Sequence, residues 1–119
     1  PKAIAGKFDG IEFRSQLEIR FAVELKKRHV KYEYESSRIG KGNYMVDFYL
    51  PEFGIWVEVK GKMDARDEYL LQECSEVLKK ERNEILYVYS SDRKMHLVHE
   101  DNLEYLWPGK FWDMLEAKQ

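Results

Sequence analysis

Apolar residues recur with two different periods along this chain, and the change from one to the other marks the elements. Leu17, Phe21 and Leu25, with Ala22 beside them, form a helical stripe, and Ser15 followed three residues on by Glu18 has the form of a capping box. A helix is predicted over 15–28, with Lys26, Lys27 and Arg28 in the last turn, where cations complement the helix dipole. Val30 to Glu35 then alternates as a strand, and Ser36 to Asn43, with Gly40 and Gly42, reads as a loop. Two further strands follow, Val46–Leu50 and Ile55–Gly61, joined by the tight turn Pro51–Gly54. Asp64 is a suitable N-cap for a second helix over 65–82 whose apolar face carries Leu70, Cys74, Val77 and Leu78. Ile85 to Tyr89 is a nearly continuous apolar run, as expected of a strand covered on both faces. Met95–Val98 adds a short strand, and Asp101-Asn102 is expected to cap a helical tail over about 101–119 that carries Leu103, Leu106, Phe111, Trp112 and Leu115.

The two strands around Pro51–Gly54 hold the most informative pattern. Period two sends Ile55, Val57 and Val59 to one face, expected to be the core side, and Trp56, Glu58 and Lys60 to the other. If Leu50 pairs with Ile55, Asp47 falls opposite Glu58. Directly opposed residues of antiparallel strands have Cβ atoms about 4.5–5.5 Å apart, and like charges there destabilise the pair. An Asp among Val, Phe, Tyr and Leu is also disfavoured in a strand. Lys60 supplies one compensating charge. A cage of carboxylate oxygens suits a hard divalent cation such as Mg²⁺ or Mn²⁺, which points to metal-assisted chemistry on a phosphate. Asp47 and Glu58 are the expected ligands, the backbone carbonyl of Val59 a further one, and Glu18 on the first helix the candidate third carboxylate. Lys60 is placed to orient a water or to neutralise the transition state.

Composition narrows the setting. The 119 residues, 44% apolar and 14% aromatic, suit one globular domain, with 1–14 as an N-terminal arm. Twenty basic residues are outnumbered by 22 acidic ones, which counts against a nucleic-acid binder, although the distribution of charge governs that more than its sum. The single Cys74 excludes an intrachain disulfide framework and a cysteine zinc cage, so a reducing, cytoplasmic setting is expected. The segment Pro1–Lys7 lacks the apolar stretch of a signal peptide, and no run approaches the roughly 18 apolar residues that span a bilayer.

Asp47, Glu58-Val59-Lys60 and the upstream Glu18 together resemble the PD-(D/E)XK nuclease superfamily. Ser15-Gln16-Leu17-Glu18, Val30–Glu35, Tyr44–Pro51, Val57–Gly61 and Ser90-Ser91-Asp92-Arg93-Lys94, in that order over some eighty residues, resemble more specifically the phage-type endonuclease I family of four-way-junction resolvases. The resemblance implies an α/β fold with a restriction-endonuclease-like core, a mixed central sheet flanked by helices in the order αβββαβ. It further implies a homodimer, encoded by a phage or prophage, that nicks Holliday junctions symmetrically with one or two Mg²⁺ or Mn²⁺ ions per site. Glu18 would then complete the site of the second subunit through exchange of a chain segment. The sequence departs from the family pattern in having Val46 where the namesake proline stands, a short Ser36–Asn43 loop and no strongly basic tail. A restriction, repair or end-processing nuclease is the alternative, and an inactive nuclease-like DNA-binding module a second one, favoured by the acidic balance.

Lys41, Lys62, Arg66, Ser90, Ser91, Arg93 and Lys94 are candidate phosphate contacts, Ser90, Ser91 and Arg93 being covered by the resemblance. Solvated surface charge explains the others equally well. His96 and His99 fall on opposite faces of their strand, so they do not read as a metal pair, and Cys74 reads as a small buried hydrophobe. Trp107, Phe111 and Trp112 read as core, dimer interface or DNA-facing surface.

Overall fold

The computed structural model describes residues 4–119 and shows an α/β arrangement built on a mixed six-stranded sheet. The N-terminal arm expected over 1–14 contains a hairpin, β1 (Gly6–Phe8) and β2 (Ile11–Phe13); residues 1–3 of that arm lie outside the described residues. Its turn is Asp9-Gly10, both at positive φ, the dipeptide that a two-residue hairpin turn favours. Helix α1 (Gln16–Lys27) begins where predicted, with both halves of the Ser15–Glu18 capping box formed. Asp9 ties the hairpin down by accepting from Lys26 Nζ and from the Tyr32 hydroxyl, each at 2.9 Å.

The expected strand over 30–35 is reduced to β3 (Glu33–Tyr34). The segment expected to be a loop contains β4 (Arg38–Ile39), which pairs with β5 (Tyr44–Met45) as a separate small hairpin. Strand β6 is only Phe48–Leu50, and Asp47 lies in a bend before it, which removes the oddity of an acid inside a regular strand. The register with β7 (Ile55–Lys60) is nevertheless the predicted one, Leu50 opposite Ile55 and Phe48 opposite Val57.

Helix α2 (Ala65–Arg82) starts with a second capping box, Asp64 with Asp67, and ends on Asn83 in the left-handed conformation. Leu71 rather than Leu70 is its central buried residue, with Cys74, Ser75 and Leu78. The helix carries the chain back so that β8 (Ile85–Ser90) runs parallel to β7, Ile55 beside Ile85 and Lys60 beside Ser90. A tight turn over Ser91–Arg93 leads into β9 (Met95–Val98), antiparallel to β8.

The start of the expected helical tail is corrected. Leu103–Leu106 forms an edge strand, β10, antiparallel to β9, and the Asp101-Asn102 pair sits in the hairpin turn closed by a bond from His99 N–H to Asn102 C=O at 2.8 Å. Asp and Asn favour such turns as strongly as they favour helix caps, which is why the dipeptide misled. Helix α3 begins at Pro108, which suits the first helical position, and runs to Ala117. The order across the main sheet is β10-β9-β8-β7-β6-β3.

Both faces of the sheet are covered. On one, Phe48, Leu50, Ile55, Val57, Tyr87 and Tyr89 meet α1 and α3 through Phe21, Ala22, Leu25, Phe111, Trp112 and Leu115. On the other, Trp56, Leu86, Val88 and Val98 meet α2 through Leu71, Cys74 and Leu78, with Ile39 and Val46 closing the end. The face of β7 that carries Trp56 and Glu58 is therefore a second interior, where the sequence pattern offered one core side. Among the described residues no helix is long and apolar enough to cross a membrane.

Candidate active site

Strands β7 and β8 are the parallel pair, and parallel strands open toward ligands at their carboxyl ends. Lys60 and Ser90 mark that end. Alternation along β7 aims Glu58 and Lys60 at the α2 side, and because β6 begins only at Phe48, the preceding bend leaves Asp47 beside Glu58 rather than in the ladder. Asp47 and Glu58 hold each other through the backbone. Glu58 Oε1 accepts from the Asp47 N–H at 3.1 Å, and Asp47 Oδ2 accepts from the Val59 N–H at 2.8 Å. Glu58 Oε2 accepts from the Tyr44 hydroxyl at 2.5 Å and lies 3.6 Å from Lys60 Nζ. Lys60 Nζ also lies 3.6 Å from Asp67 Oδ1, in the first turn of α2.

Asp47 is 9% and Glu58 4% exposed. Burial, reinforced by the charge of Glu58, pushes the Asp47 carboxyl far above the usual carboxylate range, and the Val59 N–H offsets only part of this. Burial also raises Glu58, against the pull of the Tyr44 hydroxyl and Lys60. Two carboxyls in this position cannot both ionise freely, so the pair retains a proton to unusually high pH. Burial and the Glu58 charge raise the Tyr44 phenol as well, which keeps it a hydrogen-bond donor.

A folded-state pKa raised above the unfolded value contributes stability that is complete below the unfolded carboxyl range, near pH 4, and is lost as pH rises through the folded value. Asp47→Asn removes that loss and keeps an oxygen for the Val59 N–H. The variant is expected to be more stable than the parent by about 1–2 kcal/mol at pH 7.5, the scale typical of relieved strain at a functional site. Urea unfolding in EDTA at pH 7.5 and pH 4 measures it, and a difference that did not shrink toward pH 4 would contradict the assignment.

The remaining predicted site residues divide. Glu18 is buried on α1, and its Oε1 accepts from the Arg14 N–H at 2.8 Å, the Ser15 N–H at 3.1 Å and the Tyr34 hydroxyl at 3.0 Å. It is close enough to raise Asp47 further, yet among the described residues no three Asp, Glu, His or Cys side chains gather closely enough to hold a metal ion. The reason is the layering: α1 packs on the Phe48 face, whereas Glu58 points to the face of α2. The groups brought together are the carboxyls of Asp47 and Glu58 and the backbone of Val59. Since N–H and C=O of one strand residue point the same way, the Val59 carbonyl faces the Asp47 side, beyond the end of the β6 ladder. Two carboxylates and a carbonyl fit Mg²⁺, which ordinarily takes one or two protein carboxylates and completes its shell with water and substrate phosphate. Two nearly buried carboxyls held side by side, with a single lysine 3.6 Å from one of them, are the observation that favours such a fit.

Ser91 is drawn in directly, its hydroxyl donating to the Gly61 carbonyl at 2.9 Å, and the parallel register sets Ser90 beside Lys60. Lys62, Arg66, Arg93 and Lys94 are exposed, the first two just after β7 and in the first turn of α2, the others in the turn after β8. Asp92 and Arg93 both adopt positive φ in that turn, a conformation uncommon for residues other than glycine. Lys41 is exposed on the β4–β5 turn, where Gly40 and Gly42 approach Leu70, Glu73 and Val77 of α2. Tyr44 and Asp67 were missed as site residues. Nothing local in the sequence marks Tyr44, whereas Asp67, seven residues after Lys60, is visible only as a cap.

His96 and His99 stay apart, His99 pairing with Glu104 at 2.9 Å. Burial pushes the Cys74 thiol up to about 12, in keeping with an inert core residue. Phe111 and Trp112 are core, while Trp107 is 56% exposed with its ring laid over Gly109, where a Cβ would stand 2.4 Å from a ring carbon. A groove of about 750 Å³ lined by Ser75, Lys79, Ile85, Val98 and Asp101 opens at the other end of β8, away from Lys60. In comparisons with known proteins, no family model, no curated protein and no solved structure matches this chain.

Proposed function

We propose that the protein is a metal-dependent endonuclease of the PD-(D/E)XK type that hydrolyses DNA phosphodiesters, with branched DNA as its substrate. The observation that carries the reading is the buried Asp47–Glu58 pair at the carboxyl end of the parallel strands, with Lys60 3.6 Å from Glu58. A pair of acids held so far from water is destabilising unless a cation or a reaction uses it. Asp47, Glu58 and the Val59 carbonyl would hold a Mg²⁺ or Mn²⁺ ion, whose chemistry when bound is to make water nucleophilic near neutral pH and to neutralise charge on the phosphate. Lys60, a quarter exposed, presents its ammonium to the scissile phosphate and stabilises charge developing there. Lys62, Arg66, Ser91, Arg93 and Lys94 form the rim against which neighbouring phosphates rest, so binding weakens steeply with salt.

The choice of substrate rests on the ordered resemblance to phage-type junction resolvases. A homodimer with exchanged segments would bring Glu18 from a second chain to a site that has two carboxylates in one chain. The test is cleavage of a synthetic four-way junction against a linear duplex of the same sequence, in Mg²⁺. Symmetric nicking of the junction at a rate at least about tenfold above the duplex is expected, a discrimination of 1.4 kcal/mol or more. Equal cutting of both would move the reading to a restriction, repair or end-processing nuclease. No Mg²⁺-dependent cutting of either would sink it.

A further inference from the structure

Glu58 Oε2 receives two groups at once, the Tyr44 hydroxyl at 2.5 Å and the Lys60 ammonium at 3.6 Å. The same ammonium lies over the Tyr44 ring, 5.7 Å from its centroid, and 3.6 Å from Asp67. One side chain therefore touches both halves of the Glu58-Val59-Lys60 segment. Tyr44 reaches them from outside the main sheet, on β5, whose pairing with β4 is steadied by a bond from Arg38 Nη1 to the Asn43 carbonyl at 3.0 Å and by Ile39, 2% exposed against α2. The ring is thus held by a small hairpin rather than by the strands it serves.

We propose that Tyr44 is a positioning residue of this site: its hydroxyl fixes the rotamer of Glu58 and its ring seats the ammonium of Lys60. The inference rests on the nuclease reading above. With one Glu58 oxygen on the Asp47 N–H and the other facing only the Lys60 ammonium at 3.6 Å, beyond hydrogen-bond length, the carboxylate would still swing about that bond; the Tyr44 hydroxyl removes the remaining freedom. Without the ring, Lys60 keeps the two carboxylates of Glu58 and Asp67, each 3.6 Å away, which compete for it. The hydroxyl occupies a lone pair on Oε2, so its removal does not weaken a divalent ion's hold on Glu58.

Tyr44→Phe and Tyr44→Leu separate the two roles. For Tyr44→Phe, kcat on the preferred DNA substrate in Mg²⁺ is expected to fall about 10–100-fold, with KM within about twofold, the loss typical of partners that orient ligating side chains. Mn²⁺ affinity, read without DNA from the electron paramagnetic resonance signal of free Mn²⁺, is expected to be equal to or tighter than in the parent. Tyr44→Leu is expected to lose further kcat because Lys60 also loses its seat. A wild-type kcat for Tyr44→Phe overturns the positioning role, and so does a parallel loss of kcat and Mn²⁺ affinity, which would mark a structural defect. Outcomes for the parent reading are distinct: a parent chain that nicks nothing, or a Glu58→Ala variant that nicks normally, removes the nuclease assignment and this role with it.

Discussion

Replacing Glu58 or Lys60 by alanine is expected to reduce Mg²⁺-dependent nicking by about 10³-fold, the scale for removing one preorganised electrostatic group from a water-poor site. Binding of the DNA substrate is expected to stay within about threefold, because on the proposed reading most phosphate contacts fall to the exposed Lys62, Arg66, Arg93 and Lys94 rather than to these two. The two variants fail for different reasons. Glu58→Ala removes a proposed cation ligand and leaves the Tyr44 hydroxyl and the Asp47 N–H without their acceptor. Lys60→Ala leaves both carboxyls in place and removes the ammonium 3.6 Å from Glu58, so cation affinity should be retained while turnover is lost. In Glu58→Ala, loss of a buried, desolvated acid offsets part of the cost of leaving those two donors unpaired, and circular dichroism of both variants checks that they fold. Single-turnover nicking with trace junction measures the effect, and undiminished rates in both variants would remove these residues from the mechanism.

Trp56→Ala is expected to lower stability by about 3–5 kcal/mol, at the upper end for a core substitution. Trp56 is 1% exposed and lies 4.2 Å from the Tyr49 ring, centroid to centroid, with the Arg82 guanidinium 5.7 Å above it. Its indole N–H donates to Glu84 Oε1 at 2.9 Å, and Tyr49 donates to the other oxygen of the same carboxylate at 2.5 Å. Truncation therefore opens a cavity against α2 and breaks one arm of a two-donor clamp. Equilibrium urea unfolding by circular dichroism would show the midpoint shift. A loss below about 1 kcal/mol would mean that α2 collapses into the gap and that the second core is soft.

The β6–β7 register and the starts of α1 and α2 were legible in the sequence because each rests on a local rule. Asp47 and Glu58 announced themselves as like charges in an apolar alternation, and Ser15–Glu18 has the spacing of a capping box. The four-residue turn then set their register. What escaped depended on pairing or on packing across distance. Asp9-Gly10 did carry a hairpin signal, overlooked because only three residues flank it on each side. The β4–β5 hairpin hides in a glycine-bearing stretch whose strands are two residues long. Leu103–Leu106 shares its apolar spacing with a helix turn, and only its neighbour β9 decides between them. For the site, the acids and Lys60 were readable, but Tyr44 meets Glu58 from fourteen residues away through a turn whose course no residue spacing reveals.

The parallel pairing of β7 with β8 has a kinetic consequence. The β6–β7 hairpin is local and can close early, bringing Asp47 to Glu58. Lys60 meets Asp67 as soon as the first turn of α2 forms, but Gly61 meets Ser91, thirty residues on, only after α2 has laid β8 alongside. Non-local parallel pairings of this kind form late, because the entropy of closing the intervening chain must be met first. The turn after β8, with Ser91, Arg93 and Lys94, is thus joined to the two acids only late in folding, so a partly folded chain holds the carboxyls without it.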